Sequence, residues 1–374
     1  MKCTVDRLDL LKAVEFTSQF TLVNSAKPVL ENVKLVLSDD SITVSAFDGE
    51  AQAEYRVECD CDFDSTVLVN ANKILKLLKS SDSGDLNLSV EGDDDQPTLL
   101  TIANFDDTFE LPCCQSDLPA LPSVSHYHST LPSGLMARAN AMTVATDDTT
   151  NRYALQGIWL NLTPSSVEVA STDGRRLMYY HSSFETQDTG TLIIPAQVIK
   201  RIGKLGEAEI SFNENLYLIS SGNIKVAGRQ IEGRYPAVNK VLESVDGHPE
   251  ASRVIDRALL LGSLRRASLM TTDESRGVNF IGSGRCLTLK AENASVGKAS
   301  VKIDCEREEG DANFEVTLDV KLLKELAESL NAETVTLNFF GEDKAVSLVG
   351  NGIVCVQMPM LGAKPKASAS AATA

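Results

Sequence analysis

Eight cysteines and four histidines are the residues of this chain best suited to metal, redox or nucleophilic chemistry. Their spacing supports none of it. Cys59-Asp60-Cys61 and the adjacent Cys113-Cys114 lack the two-residue gap of a zinc hook or a redox pair, and no CxxC occurs. They read as free thiols of a reducing compartment. His126, His128, His181 and His248 lie in polar stretches without ligand spacing. A Cys114/His126 hydrolase would need a third group to orient the pair, and none is evident. Asp93-Asp94-Asp95 reads as a turn. A Gly-x-x-x-x-Gly-Lys-Ser/Thr phosphate loop is missing, so any ATP-driven step must come from another protein. Gly282-Ser283-Gly284 does not extend to GxGxxG and reads as a hairpin turn, and no GxSxG elbow is present. The expectation is a non-enzyme without catalytic residues, metal or cofactor.

What remains is chemistry by charge, which depends on the elements that place it. One pattern recurs three times at a period of about 120 residues, too long for a solenoid repeat, so each unit is a domain with its own core. Each unit opens with an amphipathic helix, over 6–16, 133–142 and 256–266, with Asp6, Ser133 and Asp256 at or near its start. A second helix follows a strand, over 69–79, 194–204 and 318–326, with Pro195 suited to a first helical turn. Strands fill the rest at 33–37, 41–46, 158–162, 167–170, 216–220, 278–281 and 346–349. Boundaries fall near 119–129 and 243–252. The expected fold class is α+β, with domains at 1–122, 128–246 and 250–361 and a disordered Ala/Ser-rich tail at 362–374.

The whole chain carries a net charge of −17, with 52 acidic against 35 basic residues, which alone argues against phosphate binding. The distribution reverses that argument. The six helical segments together carry +8 and the remainder −25. Lys73, Lys76 and Lys79 stand opposite Ile74, Leu77 and Leu78, and Lys200, Arg201 and Lys204 stand away from Val198, Ile199 and Ile202. Arg138, Arg265 and Arg266 add charge to the other helices. Tandem modules with head-to-tail contacts close into rings. A ring with basic helices inside and acidic sheets outside would hold duplex DNA through its phosphates and repel it elsewhere. Aromatic residues at 5% give no single-strand platform, and no helix-turn-helix or zinc finger supports sequence readout.

No apolar run approaches the roughly 20 residues of a membrane span. The opening Met1-Lys2-Cys3-Thr4-Val5-Asp6 is not a signal peptide, so a cytoplasmic, nucleoid-associated protein is expected.

Val169-Ala-Ser-Thr-Asp-Gly-Arg-Arg-Leu177 resembles the central signature of the bacterial sliding clamp, the DNA polymerase III beta subunit family. Asn151-Arg-Tyr-Ala-Leu-Gln-Gly157, Gly233-Arg-Tyr-Pro236, Val356-Gln-Met-Pro-Met360, Arg276-Gly277-Val278 and the opening residues 1–11 are similar to further family motifs, in order, over residues 1–361. The resemblance implies a non-catalytic processivity factor, a head-to-tail homodimeric ring of six domains that encloses double-stranded DNA without sequence preference. It also implies a pocket for short linear peptides of the polymerase catalytic subunit, the clamp loader and repair proteins. By matching positions, that pocket would be lined by Leu155, Thr172, Gly174, Arg175, Arg176, Leu177, Pro236, Val241, Val356, Met358 and Pro359. Asp319, Leu322 and Met360 would form its second half. Arg152 and Tyr153 match DNA-contacting positions, and Lys27 stands in for an arginine missing near Asn24. Phe109 and Leu111 would meet Leu269 and Met270 of a partner subunit. Arg175 replaces the family's usual histidine, Ala154 a tyrosine and Leu322 another tyrosine. These departures keep open a divergent paralogue with a regulatory or non-replicative role.

Overall fold

The computed structural model describes residues 2–360 apart from 82–83, 94–95, 105–106, 125–126, 148, 150–151, 187–188, 311–312 and 342–343. The 362–374 tail, His126 and two residues of the Asp93–Asp95 run lie outside the described residues.

The helices are α1 (Arg7–Thr17), α2 (Ala71–Ser80), α3 (Leu135–Met142), α4 (Ala196–Ile202), α5 (Val238–Leu242), α6 (Arg257–Ser268) and α7 (Val320–Ser329). Helices α1, α2, α6 and α7 form where a short polar side chain ends a strand and an apolar stripe follows. Asp6 caps α1 by accepting from Asp9 N at 3.0 Å, Asn70 caps α2 from Lys73 N at 3.1 Å, and Asp256 caps α6 from Leu259 N at 2.7 Å. Asp319 accepts from both Lys321 N and Leu322 N at the start of α7. Each capped helix buries one face: Ile74, Leu77 and Leu78 on α2, and Leu322, Leu323 and Leu326 on α7. Helix α1 packs on α2, and α6 on α7.

Two expectations are corrected. Pro195 is not in the first turn of α4 but at its N-cap with ψ of 131°, as the last residue of the preceding strand. Helix α5, just before the boundary read at 243–252, was not foreseen, because five residues are too few to carry a visible period.

The chain divides into two compact units, residues 1–136 with 161–167 and 184–232, and residues 137–160 with 168–183 and 233–374. The division cuts the middle repeat because its strands extend its neighbours' sheets. In the first unit, Ile224–Arg229 pairs antiparallel with Ala51–Glu58, Val226 opposite Ala53, to build an eight-stranded sheet. A five-stranded sheet in the same unit runs Asp60–Cys61, Cys3–Asp6, Asp85–Asp93, Gln96–Ala103, Thr108–Pro112. In the second unit, Arg176–Ser183 pairs antiparallel with Ile353–Gln357, which continues through Val346–Gly350 and Thr334–Phe339 to Ala251–Asp256. A four-stranded sheet runs Gly297–Asp304, Cys286–Asn293, Gly277–Ser283, Asn313–Asp319.

Candidate functional site

The central signature folds as a tight turn. Asp173 Oδ1 accepts from the backbone N–H groups of Arg175 and Arg176 at 2.9 and 3.0 Å, and Gly174 takes φ +87°, which a Cβ would disfavour. Thr172 Oγ1 donates to Arg176 O at 2.6 Å and accepts from Gly174 N at 3.1 Å. The turn exposes Gly174 and Arg175 but sends Arg176 inward, to 6% exposure.

Arg176, matched to a peptide-pocket position, commits its donors inside the unit. Nε meets Asp173 Oδ2 at 3.0 Å, Nη1 meets Glu325 Oε2 at 2.9 Å and Leu322 O at 3.3 Å, and Nη2 meets Val144 O at 2.6 Å. A planar fork suits such a buried position, where an unpaired charge is costly. Sequence reasoning missed Glu325 and the carbonyl of Val144; only the Asp173-Gly174 turn signal pointed to one partner.

The chain's last described residues sit against this turn. Leu177 is directly opposite Val356 and Arg176 opposite Gln357, and Met358 N donates to Arg175 O at 3.3 Å. Gln357 Nε2 donates to Asp319 O, and Met360 N to Thr317 O at 2.8 Å, so residues 357–360 also lie along the start of α7. Leu155, Thr172, Leu177, Leu322, Val356 and Asp319 are buried. Met358 at 51% and Met360 at 40% are exposed, an unusual state for large apolar side chains side by side. Pro359 is half-buried. Pro236 is exposed and Val241 half-buried on the segment that follows Tyr235, whose hydroxyl donates to Ala170 O. Burial raises the Tyr235 hydroxyl pKa well above its ordinary value, so it stays a donor.

The basic residues divide by environment. Lys73, Lys76, Lys79, Lys200 and Lys204 are exposed on or beside α2 and α4. Lys79 meets Glu15 at 2.7 Å, an exposed pair worth under about 1 kcal/mol. Arg201 departs from the expected outward row: it ion-pairs with Asp48, whose side chain is 8% exposed, and lies 4.9 Å over the Phe20 ring. In the second unit, Arg265 and Arg266 are exposed near the end of α6, Arg265 3.0 Å from Glu328. Arg138 stacks 4.9 Å over Tyr180. Lys27, Arg152 and Tyr153 are exposed, the tyrosine at 67%.

Phe109 and Leu111 lie on Thr108–Pro112, the last strand of the five-stranded sheet, and Leu111 is buried. Leu269 and Met270 follow α6, which packs on Gly297–Asp304 at the edge of the four-stranded sheet. Leu269 is 69% exposed.

Family models of the DNA polymerase III beta subunit match the chain three times: the N-terminal domain over residues 1–122, the central domain over 130–237 and the C-terminal domain over 248–360. The chain belongs to the DNA polymerase III beta subunit family. Its fold is accordingly three tandem clamp domains with antiparallel sheets. The beta sliding clamp of Salmonella typhimurium is 24% identical over 381 residues, covering 96% of this chain and all of that protein. That of Synechocystis is 23% identical over 363 residues, covering 87% of this chain and 90% of its own length. The crystal structure of the beta subunit from Streptococcus pyogenes superposes with a TM-score of 0.86 at 17% identity, covering 96% of this chain and 100% of that one. A Pseudomonas aeruginosa clamp, solved bound to griselimycin, has a TM-score of 0.84 at 21% identity over 96% of this chain and 99% of its own. The resemblance argued from Val169–Leu177 thus extends to all three domains of this beta subunit.

Proposed function

We propose that this beta subunit is a non-catalytic sliding clamp: it encircles duplex DNA and tethers the replicative polymerase and other proteins to it. The observation that carries this reading is the three-domain family match, together with exposed lysines gathered on α2 and α4 of a chain whose net charge is −17. Such a surface holds phosphates without reading bases. The domains run 1–122, 128–246 and 250–361, and two subunits close head-to-tail through two edges: Thr108–Pro112 with Phe109 and Leu111, and Gly297–Asp304 beside Leu269 and Met270. Two unpaired edge strands flanked by apolar side chains support that closure. No described helix is long and apolar enough to cross a membrane. Work on chromosomal DNA places the protein in the cytoplasm at the nucleoid.

Linear peptides of the polymerase catalytic subunit, the clamp loader and repair proteins dock on the patch of Arg175, Met358 and Met360 above the floor of Leu155, Thr172, Leu177 and Val356. Methionine adapts to varied apolar anchors, and neighbouring polar backbone fixes the peptide's course. Two experiments test these roles. Loaded by its cognate loader, the protein should remain on circular plasmid and leave it on linearisation; equal retention on both forms would reject encirclement. Removal of residues 358–374 should lower affinity for a linear clamp-binding peptide at least tenfold by fluorescence polarisation while the dimer persists. Unchanged affinity would remove the Met358–Met360 patch from the site.

A further inference from the structure

Cys3, Cys59 and Cys61 were unremarkable in the sequence because the first is far from the other two. The fold gathers them. Cys3 and Cys61 are direct partners in antiparallel strands. Asp62 N donates to Lys2 O, so the next pair along, Cys3 with Cys61, is a non-hydrogen-bonded pair, in which side chains stand closest. Cys59 precedes Cys61 by two residues and therefore shares its face. The three sulfur atoms all lie within 4.8 Å of one another, Cys3 and Cys61 buried and Cys59 half-buried.

We propose that Cys3, Cys59 and Cys61 form a three-thiolate site for a soft divalent d10 cation of the zinc class. Thiolates about 2.3 Å from zinc stand about 3.8 Å apart in a tetrahedron, so the trio needs to contract by no more than about one ångström, within reach of small χ1 adjustments. Three protein ligands leave a fourth position open, and half-buried Cys59 gives that position access to water or an external thiol. On binding, three S–H protons leave, three S–metal bonds form and the complex carries a net charge of −1. Asp40, whose carbonyl accepts from Cys59 N, does not add an unopposed charge, since Arg56 lies 3.1 Å from its carboxylate.

Thiols bind such a cation as thiolates, so uptake releases their protons and tightens as pH rises.

The test uses the full reduced chain without oxygen. Cadmium titration should produce a sulfur-to-metal charge-transfer band saturating at one ion per chain, and zinc bound beforehand should shift the titration to higher cadmium. Cys59→Ser should abolish the band, whereas the double variant Cys113→Ser/Cys114→Ser should keep it. Zinc should raise the melting temperature of the parent but not that of Cys59→Ser, with Cys59→Ala repeating the comparison should the serine disturb the fold. A band that survives both Cys59 variants, or no band in the parent, would overturn the assignment.

Discussion

Replacing Arg176 by alanine is expected to destabilise the unit that holds residues 233–360 by about 3–5 kcal/mol, the cost of removing one partner from a buried ion pair. The guanidinium is 6% exposed and satisfies two carboxylates and two carbonyls at once. Its loss strands Asp173, almost as buried, and Glu325, more than two-thirds buried, with no countercharge from the groups that surrounded the guanidinium. It also empties the space between the signature turn and α7. Arg176→Lys should not restore stability, because one ammonium cannot span partners on three segments. Arg175→Ala, on the exposed neighbour, should shift stability by less than about 0.5 kcal/mol. Urea denaturation followed by circular dichroism measures all three; a loss under about 1 kcal/mol for Arg176→Ala would remove its structural role. Docked peptide should also bind Arg176→Ala more weakly, since Met358 N is held by the carbonyl of Arg175.

This residue illustrates where sequence reasoning stops. The helices were legible because their apolar stripes are local, and Asp6 and Asp256, read as helix starts, each accept an N–H of the first turn; Asn70 and Asp319, not singled out in the sequence, do the same. The signature turn was legible from Asp173-Gly174. The inward course of Arg176 was not, since its partner Leu322 lies 146 residues further on. Arg201 shows the same limit: its spacing matches the exposed lysines, yet Asp48, 153 residues earlier, turns it inward. The thiols follow the same rule, with Cys3 brought to Cys61 only by strand pairing. Among the matched pocket positions, Leu155, Leu177, Leu322 and Val356 are buried while Met358 and Met360 are exposed, a difference that periodicity could not supply once the strand ended at Gln357.

The split between lysine and Arg201 decides how the proposed DNA-binding face should be tested. Reversing Lys73, Lys76, Lys200 and Lys204 to glutamate should weaken equilibrium binding to a short linear duplex and flatten its salt dependence. Each phosphate that is no longer neutralised takes about 0.9 from the slope of log affinity against log salt, so four should remove about 3.6. These side chains are exposed, so the fold and the dimer should persist. Arg201 must be left in place, because its reversal would set a second carboxylate against Asp48, whose side chain is 8% exposed, and unfold the site it was meant to probe. A milder Arg201→Gln should leave the salt slope as it was, since a guanidinium already paired to a carboxylate has no counterion to release from DNA. An unchanged slope in the lysine variant would place DNA on another surface. A slope that falls for Arg201→Gln as well would mean that Arg201 leaves Asp48 for phosphate when DNA enters.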